Sequence, residues 1–138
     1  MRLLTSAHPT VLVEWKRKNI ENYLLVPDAW KRAVCRHLGD LFARDALQSI
    51  NAFFEGQNLT LPPGKIWRNV DANIFQIVDG KRILFENDNS LFHILRQGDP
   101  SIELIRENVA AAMSSEEIHT DVHEFFIKLT TSITDKTQ

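Results

Sequence analysis

Apolar residues recur at intervals of three and four along the first half of the chain, which is the spacing of amphipathic helices. The pattern predicts a first short helix from Asn19 to the break at Pro27, a second over residues 28–38 and a third over residues 40–56. We expect the core to form around the third helix. Its predicted apolar stripe consists of Leu41, Phe42, Ile50, Phe53 and Phe54.

The second half of the chain is less regular. Pro62-Pro63-Gly64 interrupts any regular element, and Trp67 is expected to pack inward. Asp79-Gly80 is a favourable two-residue turn, so residues 74–85 predict either a small hairpin or a turn that leads into a helix. Helical spacing returns over residues 91–96, 101–113 and 116–133.

One segment has the character of a strand. Residues 10–15 are short, apolar and rich in β-branched side chains, which predicts a buried strand. A lone strand cannot satisfy its own backbone groups, so it must pair with residues 74–85, with a second copy or with chain from elsewhere. The predicted fold class is therefore mainly α, with five to six helices, one short N-terminal strand and, as one alternative, a small hairpin.

Size and composition are those of one globular domain. The 138 residues, 43% hydrophobic and 25% charged, predict a single domain over 1–138 with flexible ends at 1–8 and 134–138. No apolar run is long enough to cross a membrane, and no export signal is visible. The single cysteine, Cys35, predicts an inert buried thiol and a cytoplasmic location, and a net charge of -2 restricts nucleic-acid binding to a local patch.

Several catalytic patterns are missing from the sequence. The pairs Gly64-Lys65 and Gly80-Lys81 lack the upstream glycine and the following Ser or Thr of a phosphate-binding loop. No Asp-x-Asp pair occurs to hold two metal ions. His119 and His123 share a helical face near Asp121, which would suit a metal or a hydrolase, but their polar neighbours favour a solvated helix face.

The most informative stretch, residues 11–29, reads VLVEWKRKNIENYLLVPDA. A strand that leads through Lys16, Arg17 and Lys18 into a helix brings cations and helix N-terminal amides together, which suits phosphate binding. A solvated basic loop is the simpler alternative. The stretch resembles a segment of the C-terminal Toprim nuclease domain of OLD-family (overcoming lysogenization defect) ATP-binding proteins, where basic residues precede an Ile-Glu-Asn-Tyr-Leu-Leu segment and a proline.

The resemblance implies the C-terminal portion of an α/β Toprim-like domain. In the family the catalytic acids, a Glu and an Asp-x-Asp, lie ahead of the matched segment, and the ATPase lies further ahead. Glu21 would then be an accessory acid, while Lys16, Arg17 and Lys18 would contact the nucleic-acid backbone. Family members often have Glu where Asn19 stands.

Two functions follow as expectations. The first is a non-catalytic part of an OLD-like nuclease that gives structural support and contacts DNA, with no activity or cofactor of its own. Missing upstream acids would supply a Mg-dependent endonuclease site, and an ATPase/Toprim segment or a second copy would complete the sheet. The alternative is a stand-alone helical module that binds another protein. No membrane partner is expected.

Overall fold

A computed structural model describes residues 2–5, 11–14 and 17–124, and these residues are mainly helical, as their apolar spacing predicts. The α-helices are α1 (Pro27–Leu38), α2 (Arg44–Gly56), α3 (Asn73–Ile77), α4 (Leu91–Gly98) and α5 (Arg106–Ala111). Single 3-10 turns are Ile20–Leu24, Asp40–Phe42 and Trp67–Asn69, and Arg82–Glu86 is a π-helical turn. No helix in these ranges is both long and apolar enough to cross a bilayer.

The predicted strand pairs with residues 2–5, which are not among the three partners expected from the sequence. Strand β2 (Val11–Glu14) pairs antiparallel with β1 (Arg2–Thr5), with Leu3 opposite Val13. A partner this near in sequence costs little loop-closure entropy, which favours it over residues 74–85 or another chain. The two ends of the predicted strand, Thr10 and Trp15, lie outside the described residues.

Helices α1 and α2 pack together and carry the centre of the core. Pro27 occupies the first turn of α1, where its missing N–H is not needed. Trp30 is fully buried, and its Nε1 donates to the Leu24 carbonyl at 3.0 Å. The helix predicted over residues 28–38 is therefore confirmed, beginning one residue earlier.

The predicted stripe of the third helix is wrong at two of its members. Leu41 and Phe42 are 84% and 72% exposed, whereas Ile50, Phe53 and Phe54 are buried. Gly39 has a φ of 81° and turns the chain after α1, so residues 40–42 form a separate 3-10 turn. Helix α2 begins only at Arg44, and Leu41 and Phe42 do not share its buried face.

The two alternatives for residues 74–85 are resolved in favour of helical structure. Backbone hydrogen bonds join Val78 N to the Ile74 carbonyl at 3.2 Å and Ile83 N to the Asp79 carbonyl at 3.1 Å. The small hairpin does not form. Trp67 packs inward as expected, half-buried with its ring edge-on to Phe75.

The last predicted helices start later than their sequence pattern suggests. Residues 102–105 have no regular secondary structure, and burial alternates along them, with Ile102 and Leu104 buried and Glu103 and Ile105 exposed. Asp99 Oδ1 accepts hydrogen bonds from the backbone and hydroxyl of Ser101 and holds this turn.

Helix α5 consequently begins at Arg106 rather than at residue 101. In the final predicted helix, residues 115–117 form a turn and helical structure begins at Thr120. Residues 125–133 of that helix, and the end at 134–138, lie outside the described residues. Helix α4 begins at Leu91 as predicted and ends two residues later than predicted, with Ser90 Oγ accepting from His93 N at 3.3 Å as the N-terminal cap.

The corrected stripe leads to a stability prediction. Phe53→Ala removes a ring that is 8% exposed and should lower the free energy of unfolding by about 3–5 kcal/mol. Phe42→Ala is the matched control and should change it by under about 0.5 kcal/mol, because its ring lies in solvent. Urea unfolding of both variants measures the difference; equal losses would contradict the assignment of these two rings.

Candidate functional site

The segment that carries the family resemblance forms the 3-10 turn Ile20–Leu24, with Glu21, Asn22 and Tyr23 all buried. A 3-10 turn has about three residues per turn, so three consecutive side chains point in different directions. Each of them contacts a different part of the fold. The order Glu-Asn-Tyr therefore reflects three separate contacts and not one apolar face repeated at helical spacing.

Asn22 anchors the turn at Asp79-Gly80. Its Nδ2 donates to the carbonyls of Phe75 at 3.0 Å and Val78 at 2.7 Å, and its Oδ1 accepts from Gly80 N at 2.8 Å. The side chain is fully buried. These three hydrogen bonds join the 3-10 turn to the backbone of residues 75–80.

Gly80 is required because of the space it leaves for Asn22. A Cβ at position 80 would lie 2.3 Å from Asn22 Oδ1 and 3.0 Å from Asn22 N. The sequence identified Gly80 as a turn residue through the Asp-Gly pair. The reason that the structure adds is close approach to Asn22, which local sequence cannot reveal.

Arg17 is an interior residue. It is 3% exposed, and its Nη1 and Nη2 donate to the carbonyls of Asn22 at 2.7 Å and Val70 at 2.9 Å. Its guanidinium lies 4.9 Å from the centre of the Tyr23 ring. Burial lowers the pKa of Arg17 to about 10. The expectation that Arg17 contacts the nucleic-acid backbone assumes an exposed guanidinium, whereas this one is buried against protein carbonyls.

Lys18 is half exposed and belongs to a surface cluster around Asp79. Its Nζ lies 3.7 Å from Asp79 Oδ2, and Asn19 Nδ2 donates to Asp79 Oδ1 at 3.0 Å. Asn19 Oδ1 accepts from Lys81 N at 3.2 Å, and Asp79 Oδ1 accepts from Arg82 N at 3.3 Å. The exposed side chains of Lys18, Lys81 and Arg82 thus lie on neighbouring segments. We call these three the basic cluster; Lys16 lies outside the described residues.

Tyr23 lies beside His119, for which the sequence predicts a solvated helix face. Tyr23 Oη donates to Asp121 Oδ2 at 2.7 Å, and the Tyr23 and His119 rings are 5.5 Å apart. His119 Nδ1 accepts from Asp121 N at 3.1 Å, and its Nε2 lies 2.9 Å from the Val70 carbonyl. At 8% exposure His119 is buried, so the prediction of a solvated face is wrong for it.

These contacts use both ring nitrogens of His119 within the protein. Because Nδ1 accepts from the Asp121 backbone, the contact between Nε2 and the Val70 carbonyl requires a proton on Nε2. His123 is half-buried, and its Nε2 has no hydrogen-bond partner among the described residues. Over the same residues, no group of three or more His, Cys, Asp or Glu side chains is arranged to hold a metal ion.

Glu21 lies in the wall of a cavity. Its side chain is 9% exposed, and its Oε1 lies 3.6 Å from Arg106 Nε. Its Oε2 is buried and has no hydrogen-bond partner among the described residues. The Arg106 guanidinium in turn lies 4.6 Å from the centre of the Phe85 ring. The cavity has a volume of about 390 Å³. Its other lining residues are Ile20, Tyr23, Leu24, Glu107, Ala110, Met113, Ile118, His119 and Val122.

Cys35 is half-buried on α1. Burial, together with a hydrogen bond to and the negative charge of Asp40, raises the pKa of the thiol above its ordinary value. A raised pKa keeps the thiol protonated and a poor nucleophile, which agrees with the predicted inert thiol, but Cys35 is half-buried and not buried as predicted.

Comparison with known proteins returns no relative of this chain. No family model matches it, and neither the curated proteins nor the solved structures contain a match. The resemblance to the OLD family therefore depends on the residues quoted above. Sequence reasoning missed Gly80 as a partner of Asn22, and Arg106 as a partner of Glu21, because both pairs join distant segments.

The close approach at Gly80 leads to a second prediction. Gly80→Ala should lower the free energy of unfolding by about 1–3 kcal/mol, because the added methyl group displaces the Asn22 side chain from its three hydrogen bonds. Gly56→Ala, at the end of α2 with no atom near its Cβ, is the control and should be neutral or slightly stabilising. Thermal and urea unfolding measure both; a Gly80→Ala variant as stable as the parent would refute the anchor.

Tyr23 provides a pH prediction, since it is the only tyrosine in the chain. Burial, and then its hydrogen bond to the negatively charged Asp121, raise the pKa of Tyr23 above its ordinary value. Because the pKa is higher in the folded state, the stabilisation is complete below about pH 10, the pKa of an unfolded tyrosine, and is lost as the pH rises above it. Phenolate absorbance should therefore appear near that pH in urea but only at higher pH in the native protein.

Asp121→Asn is the matched variant, since it keeps an acceptor for Tyr23 and removes the charge. Its native phenolate transition should move back toward the ordinary value. A parent protein that ionises near pH 10 while its circular dichroism is unchanged would contradict the burial of this hydroxyl.

Proposed function

We propose that this chain is the C-terminal portion of an OLD-like Toprim nuclease domain, non-catalytic by itself, which supports the domain and contacts the nucleic-acid backbone. The quoted resemblance over residues 11–29 suggests this family. The structural part of the proposal is supported by Glu21, Asn22 and Tyr23, whose contacts join the turn to α5, to residues 75–80 and to the segment around Asp121.

The basic cluster carries the nucleic-acid part of the proposal. Lys18, Lys81 and Arg82 come from two segments that the Asn19 and Asp79 side chains hold together. Phosphate contacts need exposed cations in a fixed arrangement, and these three side chains are exposed. Asp79 and Glu86 offset part of their charge, so binding would be weak and strongly dependent on salt.

Asn19, where family members often have Glu, has a role in this arrangement. Its amide donates to Asp79 and accepts from the Lys81 backbone, and a carboxylate could not donate the first of these bonds. In the proposal, magnesium is held by acids supplied from outside this chain. Glu21, which lies against Arg106 in a cavity wall, acts there as a structural acid.

The proposal is tested by DNA binding across a range of salt concentrations. Lys18→Ala with Lys81→Ala should weaken binding to duplex DNA and reduce the slope of log affinity against log salt by about 1.8, or about 0.9 per phosphate contact. The control is Arg44→Ala with Lys65→Ala, which removes the same charge from exposed positions on other segments. Arg17 is unsuitable for this test because its loss would disturb the interior.

Equal effects of the two double variants would contradict a role for the basic cluster. No measurable DNA binding by the parent chain would favour the second candidate, a helical module that binds another protein. The exposed pair Leu41 and Phe42 specifically supports that candidate, since adjacent large apolar side chains in solvent are typical of contact surfaces.

A further inference from the structure

We propose that two copies of this chain associate, with the exposed pair Leu41 and Phe42 of one copy inserted into the open cavity beside Glu21 of the other. We call Leu41 and Phe42 the apolar knob. Both side chains are largely in solvent, so the knob does not fill the cavity of its own chain. Because the contact does not involve the basic cluster, it is independent of the proposed nucleic-acid binding.

The apolar knob is held by a backbone that is fixed on both sides. Gly39 N donates to the Cys35 carbonyl at 2.8 Å, and Phe42 N donates to the Gly39 carbonyl at 3.3 Å. Ala43, the next residue, is fully buried. Two large apolar side chains held in solvent in this way are typical of contact surfaces. Their fixed backbone also lowers the entropy that is lost when a partner binds.

The cavity opens to solvent and is large enough for the knob. Among its lining residues Ile20, Glu107 and Ala110 are exposed. An apolar cavity of about 150 Å³ accommodates a benzene ring, whereas this one has a volume of about 390 Å³. It therefore has room for the Phe42 ring and part of the Leu41 side chain. Insertion would remove the apolar surfaces of both copies from water.

The charges beside the two surfaces are complementary. Asp40 and Arg44 are exposed on either side of the knob, and Arg106 and Glu107 line the cavity. One acid and one base at each surface can pair with opposite charges and leave no excess of one sign to repel a second copy. An apolar lining by itself does not identify an occupant. The exposed knob and the paired charges together favour another copy of this chain.

The knob and the cavity are different surfaces, so the contact is head-to-tail. A pair of copies keeps one unused knob and one unused cavity, and longer assemblies or a closed ring follow as the concentration rises. Two inserted side chains bury much less area than a standard protein interface. We therefore expect a weak association, with a dissociation constant of about 0.1–1 mM.

Sedimentation equilibrium of the full chain from about 10 μM to 1 mM spans the expected dissociation constant. The average mass of the parent should rise with concentration. The knob variant, Leu41→Ala with Phe42→Ala, should associate at least about tenfold more weakly. Ala110 is exposed on α5 and lines the cavity, so Ala110→Phe can fill the space and should weaken association similarly. Ile77→Ala is the control and should associate like the parent, because Ile77 is exposed on α3 and belongs to neither surface.

A mixture of the two variants tests the pairing of knob and cavity directly. The knob variant keeps an intact cavity and Ala110→Phe keeps an intact knob, so an equimolar mixture should form a one-to-one pair that grows no further. Circular dichroism and thermal unfolding check that the variants are folded. If Ala110→Phe does not fold, Ala110→Lys replaces it, because it places a charge in the same wall.

A parent chain that stays monomeric over the whole range would overturn the proposal and leave both surfaces to a different protein. So would a mixture that stays monomeric while the parent associates, since the two surfaces would then not bind each other. An equal loss of association in Ile77→Ala would place the contact elsewhere and refute the assignment.

Discussion

The fold depends most on one side-chain amide, that of Asn22. The Asn22 side chain is fully buried, and its amide donates to the carbonyls of Phe75 and Val78 and accepts from Gly80 N. In the interior an unpaired backbone group is costly, and an irregular segment can be buried only if something else satisfies it. Asn22 contributes to this at Gly80, while the Asn19 and Asp79 side chains accept from the backbone of Lys81 and Arg82.

The same region contains two buried charged side chains, Arg17 and Glu21. The Arg17 guanidinium donates to two backbone carbonyls and lies against the Tyr23 ring. The Glu21 carboxylate faces the Arg106 guanidinium at a distance slightly too long for a hydrogen bond. In each arrangement, contacts from distant segments offset the free-energy cost of removing a charge from water. The proposed nucleic-acid contact uses the cations that remain on the surface, Lys18, Lys81 and Arg82.

Local signals were sufficient for some elements and misleading for others. Helix α1 was predicted almost to the residue, because Pro27 and Gly39 mark its ends and its apolar spacing is uninterrupted. Leu41 and Phe42 fit the spacing of the next helix equally well, yet Gly39 turns the chain and leaves them in solvent. Ile102 and Leu104 suit a helix or a strand over so short a stretch, yet after the turn at Asp99 they lie in a segment without regular secondary structure.

By itself, the sequence determined that this chain is mainly helical, because periodicity and capping are local properties of a chain. It also showed that the order Glu21, Asn22, Tyr23 is not one that helical periodicity requires. Tertiary structure alone decided that Arg17 and His119 are buried, that Gly80 makes room for Asn22, and that Arg106 approaches Glu21. The reason is that burial and pairing depend on which distant segments meet, and no local pattern records the side on which a neighbour will pack.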